Sequence, residues 1–101
     1  MAQYPYYPRG AQLSAAITTN TTTTVNLGSG AIFAGAVVAT AGSARNLEIY
    51  NGNPGSGGVL LVTVSADATG PINSPLLSCP QGLYVVSAGT TPGSAQIAFY
   101  A

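Results

Sequence analysis

From residue 13 onward, short runs of β-branched and aromatic residues alternate with clusters of Gly, Pro, Asn and Ser. Such runs read as strands and the clusters between them as turns. The predicted strands are Leu13 to Thr18, Thr21 to Leu27, Ala31 to Thr40, Leu47 to Tyr50, Val59 to Ser65, Pro71 to Ser78, Leu83 to Ala88 and Ala95 to Ala101. Turn signals fall at Gly28-Ser29-Gly30, Gly42-Ser43, Asn51 to Gly58, Thr69-Gly70-Pro71 and Gly89 to Gly93. Seven or eight short strands at this spacing predict an all-β fold, a small β-sandwich or jelly-roll-like barrel. No stretch has the pattern of a long helix.

Alternation assigns faces. Leu47 and Ile49 are expected inward, Glu48 and Tyr50 outward. Leu60, Val62 and Val64 fall on one face, with Val59, Leu61, Thr63 and Ser65 opposite, so both faces of that strand are partly apolar. Ile97 and Phe99 oppose Gln96, Ala98 and Tyr100, and around Ala36-Val37-Val38 both faces are apolar. A small sandwich with one core shows polar outer faces. Apolar residues on both faces point to burial from both sides, although single exposed apolar residues are common. The run Thr18 to Thr24, broken only by Asn20, has high β propensity and no charge, and an uncharged edge strand invites pairing.

Residues 1 to 12 read as an extended N-terminal arm ahead of a single β-domain, 13 to 101. Within the arm, Tyr4-Pro5-Tyr6-Tyr7-Pro8-Arg9-Gly10 mixes prolines and tyrosines. Proline lacks a donor and pushes its predecessor into extended backbone, so a helix or central strand is disfavoured there. A frayed tail is the plain reading of such a segment. A docking arm is the functional one, since tyrosine offers apolar area with a polar tip and aromatics are enriched at interfaces.

Composition sharpens this. The chain has 101 residues, 47% of them hydrophobic, but only 4% charged and with net charge zero. An ordinary soluble domain carries about 25% charged residues. Arg9, Arg45, Glu48 and Asp67 are the whole charged inventory. A solvated monomer favours interspersed charge, whereas the centres of interfaces are depleted of it. No basic patch indicates nucleic-acid binding, and no apolar run reaches the roughly 18 residues of a membrane helix. The first residues lack the pattern of a signal peptide. The single Cys79 has no cysteine to pair with in this chain.

Candidate chemistry is sparse. There is no His and no Lys, so general acid–base catalysis would fall to two carboxylates far apart in sequence. A glycosidase needs two carboxyl groups flanking one bond. Cys79 and the serines lack a histidine to activate them. One Cys and two separated carboxylates do not compose a zinc site, and Asp67-Ala68-Thr69-Gly70 matches a calcium loop poorly. The loop Asn51 to Gly58 is Gly-rich, but a phosphate cradle needs a following helix and, in its commonest form, a Lys. Asn20-Thr21-Thr22 is a glycosylation sequon with meaning only in a secretory pathway. These features predict a protein that is not an enzyme and takes no cofactor or metal.

The segments Leu47-Glu48-Ile49-Tyr50-Asn51-Gly52, Val59-Leu60-Leu61-Val62, Cys79-Pro80-Gln81-Gly82-Leu83-Tyr84-Val85-Val86 and Ala95-Gln96-Ile97-Ala98-Phe99-Tyr100 form a pattern of strand, turn, Gly-Leu-Tyr strand and closing strand. That pattern resembles small virion accessory proteins of tailed bacteriophages, of the capsid decoration or cement type, from about residue 24 to the end. The resemblance implies a structural role in the virion, assembled in the host cytoplasm. It also implies a homo-oligomer, often a trimer, whose N-terminal arm reaches a neighbour. The expected partners are further copies of the chain and the major capsid protein, with no nucleic acid, membrane or small-molecule substrate. Tyr4, Tyr6, Tyr7 and Arg9 of the arm, with Phe33, Val37 and Leu61, are the candidate contact residues. A neck, tail or fibre-base component fits the same composition. A carbohydrate-binding sandwich is a further alternative, with Tyr50, Tyr84 and Tyr100 as its aromatic platform.

Overall fold

The computed structural model describes residues 11–101. The strands are β1 (Ala11–Leu13), β2 (Thr22–Asn26), β3 (Ala31–Thr40), β4 (Asn46–Asn51), β5 (Val59–Ser65), β6 (Gly70–Cys79), β7 (Leu83–Ala88) and β8 (Ser94–Tyr100). They form two four-stranded antiparallel sheets, one in the order β1-β8-β3-β6 and the other β2-β7-β4-β5. The sheets pack face to face as a small β-sandwich, with β3 against β7 and β4 against β6. β3, β5 and β7 span the ranges expected from sequence, and the other predicted strands shift by a residue or more at their ends. The first one differs most. Ala11 and Gln12 pair with Tyr100 and Phe99, so they belong to the sheet rather than to an arm ending at residue 12. The strand then stops at Leu13, and the chain stays tied to the same sheet through Ser14, hydrogen-bonded to Ile97, and a bridge from Ile17 to Ala95.

Alternation builds the core. Ala31, Phe33, Ala36, Val38, Ala95, Ile97 and Phe99 from one sheet meet Leu47, Ile49, Leu83 and Val85 from the other. Two irregularities reset the alternation. In β3 the register shifts between Phe33 and Gly35, so Ala36 and Val38 face inward after Ala31 and Phe33. Gly35 has φ of 130°, and a Cβ there would run into the carbonyl oxygen of Ile72. In β5 the register shifts opposite the Ile49–Tyr50 step: Val62 pairs with Ile49 and Leu60 with Tyr50, leaving Leu61 as the extra residue of a β-bulge. Leu61, Val62 and Val64 therefore pack on the core. Leu60, expected on the same face as Val62 and Val64, lies on the outer face and is 47% exposed.

Short polar side chains shape the turns. Asn26 Oδ1 accepts from Gly28 N at 2.6 Å at the start of the β2–β3 turn. Asn53 Oδ1 accepts from Gly55 N at 2.8 Å and caps a single 3-10 turn over Pro54–Ser56. Asn51 Oδ1 accepts from Gln81 N at 2.8 Å, and Gly52 N donates to Gly82 O at 2.8 Å. The Gly-rich loop is thereby fastened to the β6–β7 turn as a loop between paired strands.

Candidate interaction surface

The surface of the sandwich is poorer in charge than the sequence alone implies. Arg45, the one cationic side chain among the described residues, is completely buried. Its Nε donates to Ser87 Oγ at 2.8 Å and its Nη2 to the carbonyl oxygen of Ile17 at 2.9 Å. Nη1 has no hydrogen-bond partner among the described residues. Neither acceptor is a carboxylate, and burial lowers the pKa of the guanidinium. Ser87 Oγ donates onward to Asn20 Oδ1 at 3.0 Å, and Asn20 Nδ2 donates to Gly89 O at 2.9 Å. This network fastens the β1–β2 connection across one side of the sandwich. Ser14 strengthens the attachment, its N donating to Ile97 O at 2.8 Å and its Oγ accepting from Ile97 N at 2.9 Å.

With Arg45 inside, the charged side chains left on the described surface are Glu48 and Asp67. Glu48 stands on the outer face of β4, in long contact (3.4 Å) with the Tyr50 hydroxyl, which donates to it. Desolvation, reinforced by the Glu48 carboxylate and that contact, raises the pKa of the Tyr50 hydroxyl. Asp67 lies in the β5–β6 turn and accepts from Ser65 Oγ at 2.9 Å. The two carboxylates thus occupy different places with separate partners.

Along the outer face of the second sheet, Thr24, Tyr84, Tyr50 and Leu60 form one cross-strand row over β2, β7, β4 and β5. The row is neutral. Its inner member, Tyr84, is only 9% exposed, while Leu60 ends the row at the sheet's free edge. The next position toward the loop, Val59, is 57% exposed. The other sheet exposes Leu13, Val37 and Leu76. A groove of about 310 Å³ lies between residues 14–19 and 23–25; its lining of Thr and Ser hydroxyls and small apolar groups contains no charged side chain.

The contact residues expected from sequence divide four ways. Tyr4, Tyr6, Tyr7 and Arg9 lie outside the described residues. Phe33 has no exposed surface: it points into the core opposite Phe99 and Leu77, which removes it from any outer contact. Leu61 is half-buried and packs on the core from the bulge. Val37 stands on the outer face, 36% exposed. Strict alternation would put Phe33 and Val37 on one face; the register shift near Gly35 puts them on opposite faces. Of the tyrosines considered as a sugar platform, Tyr50 and Tyr84 are neighbours, but Tyr100 belongs to the other sheet, beside Ile32. Cys79 is fully buried at the end of β6, its thiol donating to Leu77 O at 3.6 Å. Burial pushes that thiol's pKa up, only partly offset by a backbone hydrogen bond from Phe33.

Sequence reasoning missed Leu60 and Arg45. A period of two cannot reveal a bulge, and nothing next to Arg45 in the chain marks it as buried. Comparison with protein-family models, curated proteins and solved structures gives no match.

Proposed function

We propose that this chain is a structural virion protein, a bacteriophage capsid cement subunit that stabilises the head by bridging neighbouring capsid subunits. The observation that carries the reading is the charge-poor outer surface, with Leu13, Leu27, Val37, Val59, Leu60 and Leu76 exposed, Glu48 and Asp67 the charged side chains left outside among the described residues, and their single cation withdrawn into the interior. Apolar burial suits a permanent contact because it does not weaken with salt as exposed ion pairs do. The role is non-catalytic and needs no cofactor. The partners are further copies of the chain and the major capsid protein, and the working location is the virion. Trimeric order is implied by the sequence resemblance alone.

Because β1 begins at Ala11, the arm is tested by deleting residues 1–10, not 1–12. Heads assembled with the truncated protein should hold fewer copies and lose integrity at lower temperature than heads carrying the full chain. Unchanged occupancy and heat resistance would remove the arm from the mechanism. Full-length protein that never adds to heads would remove the reading itself. Copies per particle separate a shell component, present in hundreds, from a neck or tail component present in a few dozen or fewer.

A further inference from the structure

Asn51-Gly52 is the one Asn-Gly step in the chain. The fold calls for both residues. Asn51 supplies the Oδ1 that accepts from Gln81 N, and Gly52 takes a φ of 91°, which side chains other than glycine rarely adopt. The same pair carries a covalent reaction. A backbone nitrogen attacks the side-chain carbonyl carbon of the asparagine before it and closes a succinimide ring, and glycine offers no Cβ to hinder that attack. The nitrogen must come within about 3.5 Å of Cγ, with its N–H released to lose a proton. Neither reacting group is released in the closed fold. Gly52 is buried, and its N donates to Gly82 O at 2.8 Å. The Asn51 carboxamide is held by Gln81 N at 2.8 Å. Both partners belong to the β6–β7 turn, which Gly82 N closes by donating to Cys79 O at 3.0 Å.

We propose that Asn51 is a site of spontaneous deamidation, gated by the β6–β7 turn: it reacts in the opened state in which the 51–58 loop has lifted from that turn. There the Gly52 nitrogen gives up its proton and bonds to Asn51 Cγ, the Cγ–Nδ2 bond breaks, and ammonia leaves with the proton. Water, the one co-reactant, then adds across either C–N bond of the succinimide. Breaking the bond to Cγ leaves aspartate at position 51. Breaking the bond to the main-chain carbonyl carbon leaves isoaspartate, with the chain routed through the side chain. The products differ in what the fold can keep. Aspartate still offers an oxygen to Gln81 N. Isoaspartate lengthens the backbone where Asn51 pairs with Leu83 and Val59, so the loop no longer closes on the turn in register. Either product adds a carboxylate beside exposed Val59 and Leu60, on an exterior whose charged side chains among the described residues are Glu48 and Asp67. Opening one loop costs less than unfolding the sandwich, so the reaction follows the loop and not global stability.

The test incubates the full chain at mildly alkaline pH, folded and in urea, and follows the tryptic fragment after Arg45 by mass spectrometry, with fragmentation to locate the modified residue. Deamidation at Asn51 should run at least about tenfold slower in the folded chain than in urea. Gly82→Ala puts a side chain at a φ of 104° within 3.1 Å of the Tyr84 ring, straining the turn that holds both reacting groups. It should speed the folded-state reaction at least about threefold. Gly70→Ala places strain of the same kind (φ 120°) at the other end of β6, in open space, and should leave the rate unchanged. Circular dichroism melting checks that each variant is folded. Wild-type hydrogen exchange supplies a readout that needs no variant: the Gly52 amide should exchange faster than that of Ile49, which is fully buried in β4. Equal rates folded and in urea, a folded Gly82→Ala chain that reacts at the wild-type rate, a Gly70→Ala chain that reacts as fast as Gly82→Ala, or a Gly52 amide as protected as Ile49 would overturn the gate.

Discussion

Arg45 is the residue whose placement most departs from what its type suggests. A buried guanidinium with two neutral acceptors and one unpartnered nitrogen is a charge held in low dielectric without a counter-ion. Its lowered pKa has a definite sign: the charged form is less favourable folded than unfolded, so at neutral pH the charge opposes folding while the stem packs. Arg45→Met keeps the stem and should stay within about 1 kcal/mol of wild type, whereas Arg45→Ala should cost about 3 kcal/mol, both read from urea midpoints. At Gly35 the limit is steric. Gly35→Ala combines a positive φ with a collision against the Ile72 carbonyl and should cost more than about 2 kcal/mol. Gly57→Ala, also at positive φ but facing open space, should cost only about 1 kcal/mol. Cys79 adds a pH dependence. Its raised folded pKa means that its contribution is full below about pH 8.5, the ordinary value of an unfolded thiol, and is lost as pH rises through the folded value. Cys79→Ala should therefore flatten the decline in urea midpoint between neutral pH and about pH 10. The turn signal around Gly89 to Gly93 could be read from the chain, but the burial of Arg45 could not. It depends on Ser87, on the neighbouring strand β7, and on Ile17 in the β1–β2 connection, both distant from Arg45 in sequence and brought to it by the fold.

At the scale of the element, strand existence was legible because most runs stop within two residues of Gly, Pro or Asn, and the face of β4 was legible because Leu47 and Ile49 alternate cleanly with Glu48 and Tyr50. The face of β5 was not. The sequence Val-Leu-Leu-Val satisfies either face, and only the pairing with β4 shows that Leu61 is the bulged residue and Leu60 the outer one. The same ambiguity placed Phe33 among the contact residues, although inward alternation from Ala31 buries it fully. The arm assignment erred at its end because Ala11 and Gln12 carry no strand signal of their own; they join the sheet through pairing with Tyr100 and Phe99. Substitutions should follow these faces. Phe33→Ala should cost roughly 3–5 kcal/mol by leaving a cavity, and Val37→Ala less than about 1 kcal/mol, measured by chemical denaturation of the isolated chain.

For the molecule as a whole, the β-sandwich explains why so little charge is compatible with folding: its interior closes on apolar residues from both sheets, and Glu48 and Asp67 are the charged side chains left on the described exterior. A charge-poor exterior with scattered exposed Leu and Val suits the proposed role, in which contact strength depends on buried area rather than on ionic strength. The proposed cement role is tested most directly by co-sedimentation of the purified chain with bacteriophage heads assembled without it, at low salt and at about 1 M salt. The account predicts saturable binding, little changed by the salt. Absence of binding at both salts, or binding abolished by the higher one, would contradict it.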